Sequence, residues 1–74
     1  MYVSDILSII SNKTLLSIEV LPSSHLKKDL CLEDIDLLYI INTIERKYNI
    51  VIPDAQISEL SVVQDVIDTA ISLL

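Results

Sequence analysis

Apolar residues recur at helical spacing in three stretches of this chain. Near the amino terminus Val3, Ile6, Leu7 and Ile10 share one side of a helix, so a short amphipathic helix is predicted over about residues 3–11. Ser11, Asn12 and Lys13 are expected to end it. The clearest stripe is Leu37, Ile40, Ile41, Ile44 and Tyr48, at offsets of 0, 3, 4, 7 and 11, which predicts a helix from about Ile35 to Tyr48. Asp34 stands immediately before it, where a carboxylate caps free backbone N–H groups and meets the positive end of the helix dipole. Val63, Val66, Ile67, Ala70, Ile71 and Leu74 form a third stripe running to the end of the chain. In front of it, Ser61-Val62-Val63-Gln64 has the form of a capping box.

The segments between these stripes read differently. Ile50-Val51-Ile52-Pro53 cannot continue a helix, because the proline biases its predecessor to extended geometry. Asp54 to Leu60 has room for a short helical turn or two. Residues 12–33 form a long connection with apolar anchors at Leu15, Leu16, Ile18, Val20, Leu21, Leu26 and Leu30. The alternation Leu16, Ile18, Val20 also admits a strand paired with Ile50–Ile52, which would make the fold α+β. The order of capped helices and connections favours an all-α bundle, and the length of 74 residues a single domain over 1–74.

Composition narrows the picture. Hydrophobic residues make up 51% of the chain, and its only aromatics are three Tyr, so the core is expected to be aliphatic. There is no glycine, which leaves Asn12 and Asn49 as the natural left-handed helix stops. With 11 acids against 5 bases, the net charge of −6 disfavours a nucleic-acid role and suits partners with basic surfaces. A single cysteine, Cys31, excludes an internal disulfide and is compatible with a reducing compartment. No basic region followed by a long apolar run opens the chain, and no run approaches the ~20 residues that span a bilayer. A cytoplasmic, soluble monomer is the expectation.

Candidate chemistry is sparse. His25 has no acid and nucleophile at motif spacing, so it reads as structural or merely exposed. The acids Asp29, Glu33, Asp34 and Asp36 lack the loop that calcium binding requires, and no metal site is expected. With no nucleophile–base pair, the chain does not read as an enzyme.

One ordered set of motifs stands out between Glu19 and Ala70. Asp29-Leu30-Cys31-Leu32-Glu33-Asp34-Ile35-Asp36 resembles the D-L-G-x-D-S-L-D signature of the acyl carrier protein family. Ile52-Pro53-Asp54 resembles that family's I-P-D, and Val63-Gln64 through Ile67-Asp68 its V-Q-x-x-I-D. The resemblance implies a four-helix bundle with a long first loop and a short third helix. It also implies a task beside acyl-transfer enzymes of fatty acid or polyketide type. In the family, a serine at the start of the second helix carries phosphopantetheine, whose thiol holds acyl groups.

The departures matter as much. Asp34 occupies the serine position, and a carboxylate has no hydroxyl to form a stable phosphodiester. Ser23 and Ser24 lie upstream, and Ser58 and Ser61 belong to later segments, so none replaces it. No cofactor is therefore expected. Cys31 takes the place of the signature glycine and reads as a small, partly buried residue rather than a reactive thiol. The resemblance assigns a partner face to Glu33, Asp36, Leu37, Tyr39, Ile40, Glu45 and Asp54. On it Tyr39 replaces an acid, and Arg46-Lys47 reverse the sign at the far end. The expected function is a carrier-like interaction module that is not primed; the alternative is an authentic acyl carrier seen as a serine-replaced variant.

Overall fold

A computed structural model describes residues 2–14 and 19–74. Among them lie four helices and no strand: α1 (Tyr2–Lys13), α2 (Asp34–Tyr48), α3 (Asp54–Ile57) and α4 (Val63–Ser72). The all-α reading holds. Ile50–Ile52 form no strand, while Leu15, Leu16 and Ile18 lie outside the described residues.

Each long helix buries most of the stripe its spacing predicts, although Val3 of α1 is exposed and Leu7 and Tyr48 are half-buried. Ile6 and Ile10 of α1, Leu37, Ile40, Ile41 and Ile44 of α2, and Val63, Val66, Ile67 and Ala70 of α4 form one aliphatic core. Helix α1 packs against both α2 and α4. The long connection adds Leu26, Leu30 and Leu32 to that core, and the segment before α3 adds Ile52. Val20 packs half-buried against it, whereas Leu21 is exposed.

Helix boundaries follow capping chemistry. Helix α1 runs through Ser11 and Asn12 to Lys13 rather than stopping before them. The Thr14 hydroxyl and N–H both donate to the Ile10 carbonyl just beyond its last turn. Helix α2 ends as expected at Asn49, whose left-handed backbone (φ 54°, ψ 49°) lets the Ile50 N–H reach the Glu45 carbonyl at 3.1 Å. Helix α4 stops at Ser72, short of the chain end expected for it; Leu74 lies exposed beyond it, and Ile71, though within the helix, is exposed as well.

The box that starts α4 differs from the one read in the sequence. Val62 is the N-cap, which places Asp65 rather than Gln64 three residues on. Asp65 Oδ2 accepts the Ser61 and Val62 N–H groups at 2.9 and 3.0 Å, while the Gln64 amide donates to Asp68. A one-residue shift of the cap thus moves the acceptor role by one residue. The next N–H groups go to the long connection: Val63 donates to the Ser24 carbonyl and Gln64 to the Pro22 carbonyl, at 3.0 and 2.8 Å. In return Leu26 donates to the Ser61 carbonyl, giving one antiparallel bridge between His25 and Val62.

Two outcomes test this arrangement. Ile40→Ala empties a fully buried site and should cost about 2–5 kcal/mol in urea unfolding, whereas Ile35→Ala, at a position 71% exposed, should stay within about 0.5 kcal/mol. The Val62 and, second, the Ser61 N–H groups hold the Asp65 carboxyl below the ordinary carboxylate range. Its stabilisation is therefore full above the unfolded value of about 3.9 and is lost as pH falls through the depressed folded value. Asp65→Ala should lower stability at neutral pH by about 1 kcal/mol, with part of that deficit vanishing in acid as the parent loses the same stabilisation.

Candidate functional site

The segment before α2 is a tight turn built on His25. Its N–H donates to Asp29 Oδ2 at 2.7 Å, and its Nδ1 accepts the Lys27 and Lys28 N–H groups at 3.2 Å each. An Nδ1 that accepts leaves Nε2 to carry the proton in the neutral ring. The His25 carbonyl accepts from Asp29 and Leu30, and the Leu26 carbonyl from Leu32. His25 is thus structural, as the sequence indicated.

Cys31 closes this turn in the left-handed region, at φ 56°. That backbone favours glycine, because a Cβ crowds the following carbonyl there. The conformation keeps Leu30 and Leu32 both buried while Cys31 itself is exposed. Its partly buried placement is therefore corrected: the left-handed backbone turns the side chain outward as its neighbours turn in.

The turn leads directly into α2. Glu33, not Asp34, is the N-cap, and the Glu33 N–H donates to Asp36 Oδ2 at 3.1 Å. Asp34 is the first residue of the helix. Its side chain, 84% exposed, meets Lys27 Nζ at 2.7 Å instead of capping backbone N–H groups. The hydrogen bond from Lys27, and then its charge, hold the Asp34 carboxyl below its ordinary value. The dipole reading survives, since the acid still sits in the first turn; the capping reading does not.

Lys27 and Asp34 stand at the rim of a cleft of about 250 Å³. Leu37 and Leu38 of α2 line one wall, and Ile57, Ser58 and Leu60 the other. The cleft is apolar with an ion pair at its mouth, so it can receive an apolar group while leaving a charged group outside. No metal-binding group of His, Cys, Asp or Glu occurs among the described residues.

The residues expected on a partner face divide. Glu33, Tyr39 and Asp54 are exposed. Leu37 and Ile40 are buried, because they fall on the inner stripe of α2 with Ile41 and Ile44. The exposed apolar residues beside them are Ile35 and Leu38, which the sequence reading passed over although both lie off the core period. Lys13 of α1 reaches both Asp36 and Tyr39, its Nζ lying 3.7 Å from Asp36 Oδ1 and 4.7 Å from the Tyr39 ring centre. The Glu45 carboxylate accepts the Ile52 N–H at 2.8 Å, so it secures the chain after α2.

At the other end of α2, Tyr48 donates to Asp5 at 3.2 Å and meets the Tyr2 ring edge-on. Burial, then the Asp5 charge and hydrogen bond, raise its phenol's pKa. That cluster ties α1 to α2 away from the cleft.

Compared with models of known protein families and with characterised proteins, the sequence matches none.

The left-handed turn gives a direct test. Cys31→Gly removes a backbone cost of about 1–2 kcal/mol and adds about 0.5–1 kcal/mol of unfolded-state entropy. It should therefore leave stability unchanged or raise it by up to about 1.5 kcal/mol in urea unfolding. Cys31→Val, whose branched Cβ fits this region worse, should lower it.

Proposed function

We propose that this chain is an acyl-carrier-like interaction module that does not receive a prosthetic arm and works beside acyl-transfer enzymes. One observation carries the reading. The segment that resembles the family signature places a left-handed backbone at Cys31, where the signature has glycine, and three residues later begins α2 with Asp34 on a cleft rim. A glycine requirement explains that position in the signature, and the same backbone here supports a shared local architecture. The order of a long connection, a long second helix, a very short third and a capped fourth is consistent with the carrier bundle.

Asp34 supports the loss of priming. Phosphopantetheine transfer needs a hydroxyl that attacks the pyrophosphate of coenzyme A and remains as a stable phosphodiester. A carboxylate attacking the same phosphorus would give a mixed anhydride, which hydrolyses. Lys27 already neutralises this carboxylate, and Lys13 lies against Asp36. A partner with a basic surface therefore meets an α2 start whose acids are partly paired within the chain. Glu33 and Asp54 remain exposed, beside apolar Ile35 and Leu38. This supports a partner set narrower than that of an acid-rich carrier helix.

Incubation with coenzyme A and a promiscuous phosphopantetheinyl transferase, read by intact mass, tests the reading. The unsubstituted chain should stay unmodified, and Asp34→Ser should gain one pantetheine arm at the substituted position. An adduct on the unsubstituted chain would sink the claim that priming is lost. An Asp34→Ser chain that stays unmodified would count against the carrier scaffold.

A further inference from the structure

Charge is divided unevenly along this chain. Lys47 is the last base, and residues 48–74 hold four acids, Asp54, Glu59, Asp65 and Asp68, with no base among them. Three of these acids meet at one place. Glu59 after α3, and Asp65 and Asp68 on the side of α4 away from its buried stripe, line a second cleft of about 250 Å³ with Gln56, Leu60 and Thr69. Asp65 is committed to the Ser61 and Val62 N–H groups, and Asp68 accepts from Gln64. Among the described residues no base pairs with Glu59, Asp65 or Asp68, so their charge is uncompensated.

Positive charge collects elsewhere. Arg46 and Lys47 stand exposed in the last turn of α2, and neither forms an ion pair among the described residues. The acids nearest them are engaged: Glu45 holds the Ile52 N–H, and Asp5 accepts the Tyr48 hydroxyl. Val51, 78% exposed, lies on the stretch that the Ile50 and Ile52 N–H groups tie back to Glu45. The far end of α2 thus presents two cations with no ion-pair partner and an apolar side chain. These two surfaces do not meet within one copy. Leu60 is shared by the acidic cleft and the cleft at the α2 start, whereas Arg46 lies about 18 Å along the helix from Asp34 at 1.5 Å per residue.

We propose that a second copy of this chain docks by the far end of its α2, setting Arg46 and Lys47 against Glu59 and Asp68 at the acidic cleft, with Val51 adding apolar area to the contact. The two surfaces differ, so the contact is heterologous, and copies add in a row or close into a ring. Each copy carries a net charge of −6, which opposes the contact. That repulsion acts between centres at least 18 Å apart, the shortest extent of the molecule. At physiological salt, where the Debye length is about 8 Å, it is largely screened, while pairs at contact distance are screened less. The contact is therefore weak and sensitive to salt in both directions. It stands on exposure and charge placement and does not rest on the carrier-like reading, whose test reads a covalent mass rather than an assembly state.

Sedimentation equilibrium on the full chain, across protein concentration and at about 0.01, 0.15 and 1 M salt, tests the contact. Mass above the monomer should appear at the middle salt and fall at both extremes. A Debye length of about 30 Å lets the net charges repel at the lowest salt, and one of about 3 Å screens the pairs at the highest. Arg46→Ala with Lys47→Ala, and Glu59→Gln with Asp68→Asn, change exposed side chains outside the core. Each doubly substituted chain should associate at least roughly tenfold more weakly than the parent. Mixed, the two should restore a one-to-one pair that grows no further, because each keeps one of the two surfaces. A parent that is monomeric at all three salts, or association that rises steadily to the highest, would overturn the proposal. So would a doubly substituted chain that associates like the parent, or a mixture no larger than its components.

Discussion

Helix α4 begins with backbone N–H groups that have no partner inside the helix, and two of them are given to carbonyls of the long connection. Val63 is fully buried, so its N–H has no water to turn to; leaving it unpaired would cost about 1–3 kcal/mol. The Ser24 carbonyl meets that need, the Pro22 carbonyl takes the Gln64 N–H, and Leu26 returns a bond to Ser61. These bonds fix a stretch that has no helix of its own against the one helix start that requires it. Once 22–26 is held there, Leu26, Leu30 and Leu32 fall into the core and Lys27 comes to lie beside Asp34. The position of the cleft rim is thus a consequence of how α4 is capped.

Charge acts on top of this frame rather than holding it. The Lys27–Asp34 pair is widely exposed and Lys13–Asp36 partly so, and pairs of this kind contribute little to stability. Lysines from two different segments converge on the first turn of α2, Lys27 on Asp34 and Lys13 on Asp36. In a chain of net charge −6, that leaves the α2 start less acidic than its sequence reads.

Several features were legible before any coordinates. The inner face of α2 follows from the spacing of Leu37, Ile40, Ile41 and Ile44, and Asn49 was the natural left-handed stop in a chain without glycine. Asp34 was placed correctly at a helix start, but its partner was not, because Lys27 reaches it only through the turn on His25. The α4 cap lies one residue beyond the box that Ser61 suggests, because the Asp65 carboxylate, and not a hydroxyl, takes both N–H groups. Leu37 and Ile40 were assigned at once to the core and to a partner face. Only the packed structure separates those roles, turning both inward and leaving Ile35 and Leu38 outside.

Residue order alone settles the helices and which of their faces turn inward, because a period of 3.6 residues is a property of neighbours in the chain. It also settles that position 34 holds no hydroxyl, which is a matter of composition and needs no fold. The path of the long connection, the left-handed turn at Cys31 and the ion pair at the cleft rim were decided by the tertiary structure. The path of the connection depends on contacts between distant segments, Ser24 with Val63 above all, and the turn and ion pair on hydrogen bonds around His25 that no periodic spacing encodes.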